Sequence, residues 1–515
     1  MNGAESLVRT LIASDVNLCF ANPGTSEMHF VAALDRVEGI RCVLGLFEGV
    51  VTGAADAYYR IAEKPASTLL HLGPGLGNGV SNLHNAKKAR SGIVNIVGEH
   101  ASYHIKHDAP LTADIEGLAR PVSDWVKTSP DSRSVAADGA LAVEAARTPP
   151  GGIATLILPA DTAWGEAEGP AIARPPGPRK RISADAIREG AKALQAGESA
   201  ALLLGGAALR GKALEIAGRI AARTGCKLFS EFNNARQESG AGRVDVPRLP
   251  FSVDQGLALL AETKQLVLVG AKTPVTFFAY PGKPSVLVPE GCRVTEVADV
   301  AADLEHAMAA FADELGATRT PPAHVSPFEP PPMPSGEPTI DGISAVITNL
   351  IPENAIVVDE GVTTGRNFGA WTRNAAPHDW MSIMGGSIGW GLAAGVGAAL
   401  AAPDRKTFVL EGDGSAMYTV QALWTMAREN LNVTVLISAN RAYRILQGEF
   451  KNVGAGSPGH RARDMLTLDR PDPDWIALAR GYGVEAGRAT TLEELNRELK
   501  RALAMRGPYL VELVM

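Results

Sequence analysis

The sequence predicts an α/β protein of three consecutive doubly wound domains, each built on a parallel sheet. Short apolar runs alternate with helical patterns along the whole chain, as parallel strands joined by crossover helices require. Two proline-rich stretches, 169–180 (GPAIARPPGPRK) and 321–338 (PPAHVSPFEPPPMPSGEP), cannot form helix or central strand and read as extended linkers. They divide the 515 residues into 1–168, 182–318 and 339–515, pieces of ordinary domain size. Strands are expected at 18–21, 41–46, 67–72 and 93–97 in the first piece. The second offers 200–204, 227–229, 265–269 and 285–288, and the third 355–358, 407–410, 433–438 and 509–513.

Composition narrows the function. Hydrophobic residues make up 46% and charged residues 20%, which excludes a disordered or collagenous chain. A formal net charge of -7 gives no bulk attraction for nucleic acid or anionic lipid, so neither is expected as a partner. Cys19, Cys42, Cys226 and Cys292 are scattered without a CxxC pair, against a disulfide framework or a zinc site and for a reducing compartment. Glu5, Arg9 and Asp15 interrupt any signal peptide, and the uncharged stretch 385–402 is Gly/Ala-rich, a buried helix rather than a membrane span. A cytoplasmic enzyme is the expectation.

Ligands of doubly wound sheets bind beyond the carboxyl ends of strands. In the third piece one strand runs into Glu411-Gly412-Asp413-Gly414-Ser415, and the next ends at Ala439-Asn440-Arg441, with a helix expected at about 419–429 between them. A carboxylate and an amide at neighbouring strand ends suit a Mg²⁺ that also takes phosphate oxygens. A surface Asp-Gly turn is the plain alternative. The segment Gly73-Pro74-Gly75-Leu76-Gly77-Asn78-Gly79 opens a helix after a strand. Pro74 spoils a dinucleotide fingerprint, and glycines packing closely beside a site fit better. Glu48 follows an apolar strand and begins a small-residue helix, either as a helix-start charge or as a buried functional acid.

Together, Asn22-Pro23-Gly24-Thr25, Glu48 before GVVTGAADAY, His71 before GPGLGN, GGSIGWGLAAGVGAA and GDGS…AN resemble thiamine diphosphate-dependent 2-oxo acid decarboxylases and synthases, of the benzoylformate decarboxylase and acetolactate synthase types. The resemblance implies pyrimidine-binding, central and diphosphate- and Mg-binding domains in that order. It implies that Asp413, Asn440 and the Ala442 carbonyl hold Mg²⁺. Thr363, Ser415 and Tyr443 would contact the phosphates, with Asn22, Thr25, Gly412 and Gly414 also at the cofactor. Ile388 would be the apolar wedge that bends the cofactor, the Gly386 carbonyl would accept from its aminopyrimidine, and Glu48 would hydrogen-bond its ring nitrogen. In the family that glutamate reaches a cofactor on the neighbouring subunit, which implies a homodimer or homotetramer.

By the same resemblance His71 is the proton shuttle. The central-domain histidine of benzoylformate decarboxylase has no counterpart near 274–280 (PVTFFAY). His104 and His107, clustered with His100 in a loop, are candidates to replace it. Substrate-pocket positions would be Ile445, Leu446 and Glu449, with Arg444 either pairing with Glu449 or binding a carboxylate. The expected reaction is nonoxidative decarboxylation of a 2-oxo acid. Acetolactate synthase-type carboligation and a cofactor-binding homologue without turnover are the alternatives. No flavin signature is visible, since Gly205-Gly206 reads as a packing feature, so FAD is not expected.

Overall fold

A computed structural model describes residues 1–515, the side chain of Glu198 excepted. Three sheets follow one another along the chain. The first is fully parallel, in the spatial order 41–44, 18–22, 66–70, 93–99, 153–159, 125–128. Numbered within its own segment, that order is 2-1-3-4-6-5. The third sheet repeats it with strands 378–382, 355–360, 407–412, 433–439, 509–514 and 485–489. The central sheet keeps the 2-1-3-4 part with 227–230, 200–204, 265–269 and 293–298. In each, strand order reverses between the first and third strands of the segment, which opens the crevice where ligands of doubly wound folds bind.

The strands form where apolar, β-branched runs are buried on both faces. Ile93–Glu99, Ile153–Pro159 and Val433–Ala439 have no exposed residue, as a sheet covered by helices on both sides requires. Two expectations are corrected. Residues 285–288 form no strand: Val286 makes only an isolated bridge to Val275, and the fourth central strand is Arg293–Ala298. Four prolines crowd 274–289 and remove the amides a ladder needs. The helix expected at 419–429 is shorter, Ala422–Arg428, preceded by single turns at Asp413–Ala416 and Met417–Thr419.

The central segment also sends a strand out. Gln237–Ser239 pairs antiparallel with His378–Ser382 and so forms one edge of the third sheet. The first and third segments share one hydrophobic core. At its centre, helices Glu48–Ala62 and Gly391–Ala401 pack through small residues, and a Cβ added at Gly53 would lie 2.7 Å from that of Ala393. Asp56 and Arg60 form a buried ion pair there, at 2.9 Å through Nε. Trp390 Nε1 donates to Asp56 at 2.8 Å while its ring lies under the Arg60 guanidinium. No helix among the described residues is long and apolar enough to cross a membrane.

Candidate functional site

Two groups of side chains occupy the equivalent crevices of the first and third sheets. In the first, Asn22 and His71 stand at the ends of adjacent strands, the register pairing Asn22 with Leu70. Asn22 Nδ2 donates to the Gly45 carbonyl at 3.0 Å, which ties the loop of Gly24 and Thr25 to the strand before Glu48. His71 Nδ1 lies 2.8 Å from Glu27 Oε2, and that oxygen also accepts the Gly24 N–H at 2.7 Å. Only glycine fits at 24, because a Cβ there would overlap the imidazole. Burial raises the Glu27 carboxyl, opposed by the Gly24 N–H and by His71. When Glu27 is ionised, Nδ1–H donates to it and Nε2 is left for a ligand.

Glu48 is the first residue of its helix and is buried, where the helix dipole favours a carboxylate. Asn78 Nδ2 donates to its Oε2 at 3.0 Å. A Cβ at Gly75 would meet Glu48 Oε1 at 3.1 Å and His71 Cβ at 3.3 Å, so both side chains converge on one glycine. The glycine-rich stretch is thus the first turns of helix Leu72–Ala89, thinned so that two functional groups can approach. Thr25 is exposed beside them. His104 and His107 lie on an exposed loop, their rings 5.8 Å apart, and no hydrogen bond among the described residues joins them to His71.

The second group lies at the ends of 355–360, 407–412 and 433–439. Asp413 Oδ2 accepts the Arg441 N–H at 2.7 Å and Oδ1 the Gly414 N–H at 3.0 Å, so the two strand ends expected to cooperate are joined. Asn440 Oδ1 accepts the Ala442 N–H at 3.1 Å, closing the turn that presents the Ala442 carbonyl. Arg441 holds this turn at a φ of 57°, with its guanidinium donating to Glu512 and to the Pro473 carbonyl. Tyr443 packs on Gly414, and Ser415 donates to Glu411 Oε2 at 2.6 Å from beside Gly412. Thr363 caps the single turn Thr364–Asn367, half-buried.

Glu360 and Glu411, not singled out from the sequence, are register partners buried beneath this group. Burial pushes both carboxyls up, and the facing Glu360 charge adds to the rise at Glu411. Glu360 accepts the N–H groups of Gly389 at 2.9 Å and Gly391 at 2.6 Å, which fixes the loop carrying Gly386 and half-buried Ile388. The same loop is gripped from the first segment. Asn85 Oδ1 accepts from Gly385 at 3.1 Å and Ser387 at 3.3 Å, and Asn82 Nδ2 donates to both the Gly49 and Gly389 carbonyls. Two acids at strand ends and asparagines spaced i, i+3 on a helix face were the readable signals.

Helix Arg444–Asn452 carries Ile445, Leu446 and Glu449, and none of its residues is buried. The pairing of Arg444 with Glu449 is not formed: Glu449 is held by the Tyr280 hydroxyl at 2.9 Å and by Asn452 at 3.0 Å, with no bond to Arg444. Among the described residues no cluster of three or more His, Cys, Asp or Glu could hold a metal ion. A cation at Asp413, Asn440 and the Ala442 carbonyl would have three oxygen donors and take its remaining ligands from phosphate. That donor set fits Mg²⁺ bound together with a diphosphate.

Comparison with known proteins agrees with this arrangement. Residues 1–118 match the model of the thiamine pyrophosphate enzyme N-terminal TPP binding domain, and 364–513 that of the C-terminal TPP binding domain. The chain is 48% identical over 517 residues to a Mycobacterium tuberculosis protein provisionally named acetolactate synthase large subunit IlvX, covering 100% of this chain and 99% of that one. It is 29% identical to the benzoylformate decarboxylase of Pseudomonas aeruginosa, covering 96% and 95%. The fold matches the thiamine diphosphate-dependent 4-hydroxybenzoylformate decarboxylase of Rhodococcus jostii RHA1 with a TM-score of 0.84 at 24% identity, over 99% of this chain and 98% of that one. The chain belongs to the thiamine pyrophosphate enzyme family. Within it, this is a thiamine diphosphate-dependent enzyme of the decarboxylase and acetolactate synthase group.

Proposed function

We propose that this enzyme decarboxylates a 2-oxo acid nonoxidatively, with thiamine diphosphate and Mg²⁺. The observation that carries the reading is the convergence of Glu48 and His71 on Gly75, with Glu27 behind the imidazole. When bound, thiamine diphosphate supplies an electron sink for the pair left as carbon dioxide departs. His71 offers Nε2 as the atom that delivers a proton, while Glu27 fixes the tautomer at Nδ1. Glu48 holds the pyrimidine side, Asp413, Asn440 and the Ala442 carbonyl hold Mg²⁺, and Thr363, Ser415 and Tyr443 hold phosphate. In this reading 1–168, 182–318 and 339–515 act as pyrimidine-binding, central and diphosphate-binding units. The sites form between subunits of a cytoplasmic homodimer or homotetramer, without FAD.

Carboligation is the second reading, favoured by the 48% identity to a protein named for acetolactate synthesis. A panel of 2-oxo acids, each with and without an acceptor aldehyde or second oxo acid, separates the two by product. Aldehyde release without acceptor supports decarboxylation. Hydroxy-oxo acid formation as the main product would replace it with synthesis. Absorbance near ~450 nm in the purified protein would contradict the flavin-free reading.

A further inference from the structure

The loop after strand Gln265–Val269 crosses from one wall of the third-sheet crevice to the other. At one end Phe277 packs on Gly386: a Cβ built at Gly386 would lie 2.5 Å from Phe277 Cζ. Three residues on, the Tyr280 hydroxyl donates to Glu449 on helix Arg444–Asn452, which follows directly from the Asn440–Tyr443 turn. Phe277 belongs to an aromatic cluster, with ring centroids 4.9 Å from Phe278, 5.5 Å from Phe251 and 6.4 Å from Phe232. Yet Phe277 is 43% and Phe278 52% exposed, so this cluster turns apolar ring surface outward beside Gly386.

Resting on the 2-oxo acid reading above, we propose that Phe277 is the specificity-determining contact for an apolar substituent on the substrate carbonyl, and that the Tyr280–Glu449 hydrogen bond is the positioning device that holds it there. An aromatic wall offers flat apolar area and no hydrogen-bond partner, so it rewards phenyl or branched-alkyl substituents over methyl. Tyr280 is buried, with its hydroxyl pushed up to about 12 by burial and by Glu449, so it stays a donor across the working pH range. The helix has no buried residue of its own to anchor it, which makes this bond its tie to the loop.

The test compares kcat/KM for pyruvate, a branched-alkyl 2-oxo acid and a phenyl-substituted 2-oxo acid in parent, Phe277→Ala, Phe277→Leu, Tyr280→Phe and Glu449→Gln proteins. Calorimetric Kd values for the matching 2-hydroxy acids, which cannot be decarboxylated, give a readout independent of turnover. Phe277→Ala should lower the preference for the larger substituents over pyruvate by ~10-fold or more in both measurements, within the range for apolar pocket contacts. Phe277→Leu should lose part of it. Tyr280→Phe should raise KM for the larger acids with kcat little changed, and Glu449→Gln, which keeps an acceptor for the tyrosine but not the charge, should raise it less. Unchanged preference and unchanged Kd ratios in Phe277→Ala would overturn the assignment. A parent that turns over no 2-oxo acid would overturn the reading beneath it, and the 2-hydroxy acid titration would still decide the role of Phe277.

Discussion

His71 Nδ1, at the end of strand Ala66–Leu70, stands 2.8 Å from Glu27 Oε2, on the short turn Thr25–Glu27. The carboxylate is buried and the imidazole partly open, so in the proposed reading Glu27 would orient the ring and His71 would meet the ligand. His71→Ala should lower turnover by ~10²–10⁴ per folded site, the share usual for general acid–base catalysis. Glu27→Gln keeps the shape but removes the charge that selects the tautomer, and should cost ~10–10². Because burial raises the Glu27 carboxyl, the acid limb of the parent pH–rate profile should lie above the ordinary carboxylate range and move in Glu27→Gln. Turnover and melting temperature measured on the same proteins decide it. A destabilised His71→Ala with parent turnover would make the histidine structural.

Asp413 holds its turn and, in the proposed reading, would also hold the cation. Asp413→Asn keeps an acceptor for the Arg441 N–H but loses the charge, so the fold should survive while thiamine diphosphate affinity falls ~10–100-fold in the presence of Mg²⁺. Calorimetry with and without chelator measures this. Equal affinity in parent and variant would remove Asp413 from the metal site.

Glu48→Gln can retain the bond from Asn78 through its amide oxygen. Melting temperature and cofactor affinity should stay near the parent values, while turnover drops by ~10² or more. Parent-like turnover would reduce Glu48 to a helix-start charge.

The Asp56–Arg60 pair tests how the two halves are joined. Its side chains are 0% and 2% exposed, so Asp56→Ala strands a buried guanidinium and should cost ~3–5 kcal/mol in denaturant unfolding. Trp390→Phe removes the indole donor but leaves the pair intact, and should cost ~1–2 kcal/mol.

His378 sets an acid limit on stability. Its Nδ1–H donates to the Ala376 carbonyl at 2.7 Å, and Nε2 is buried without a partner. Burial lowers its pKa from 6.5 to about 4, so the unfolded chain takes up the proton first. Stability is therefore fully present above about 6.5 and falls as pH drops toward 4, by ~2–4 kcal/mol in all. His378→Phe should flatten that slope in unfolding curves measured between those limits, whatever it costs at neutral pH.

Much of this was legible in the sequence because glycine and strand-end motifs are local. Asp413, Asn440 and Glu48 sit where apolar runs stop, and alternation alone located most of the parallel strands. Glu27 escaped notice because its meaning comes from His71, forty-four positions away. Glu360 and Glu411 likewise acquire theirs only when parallel register sets them face to face. Residues 285–288 looked like a strand by hydropathy, but neighbouring prolines deny that segment its ladder. Strand 237–239 is too short and too polar to announce itself, and its partner is set by tertiary packing.

That short strand has a consequence for how the protein can be handled. A fragment begun after the second proline-rich linker would keep six of the seven strands of the third sheet and lose Gln237–Ser239. His378–Ser382 would then present a bare row of amides and carbonyls, a template on which other chains can dock and precipitate. The central segment therefore covers an edge that its neighbour cannot cover alone, and residues 339–515 by themselves would expose it.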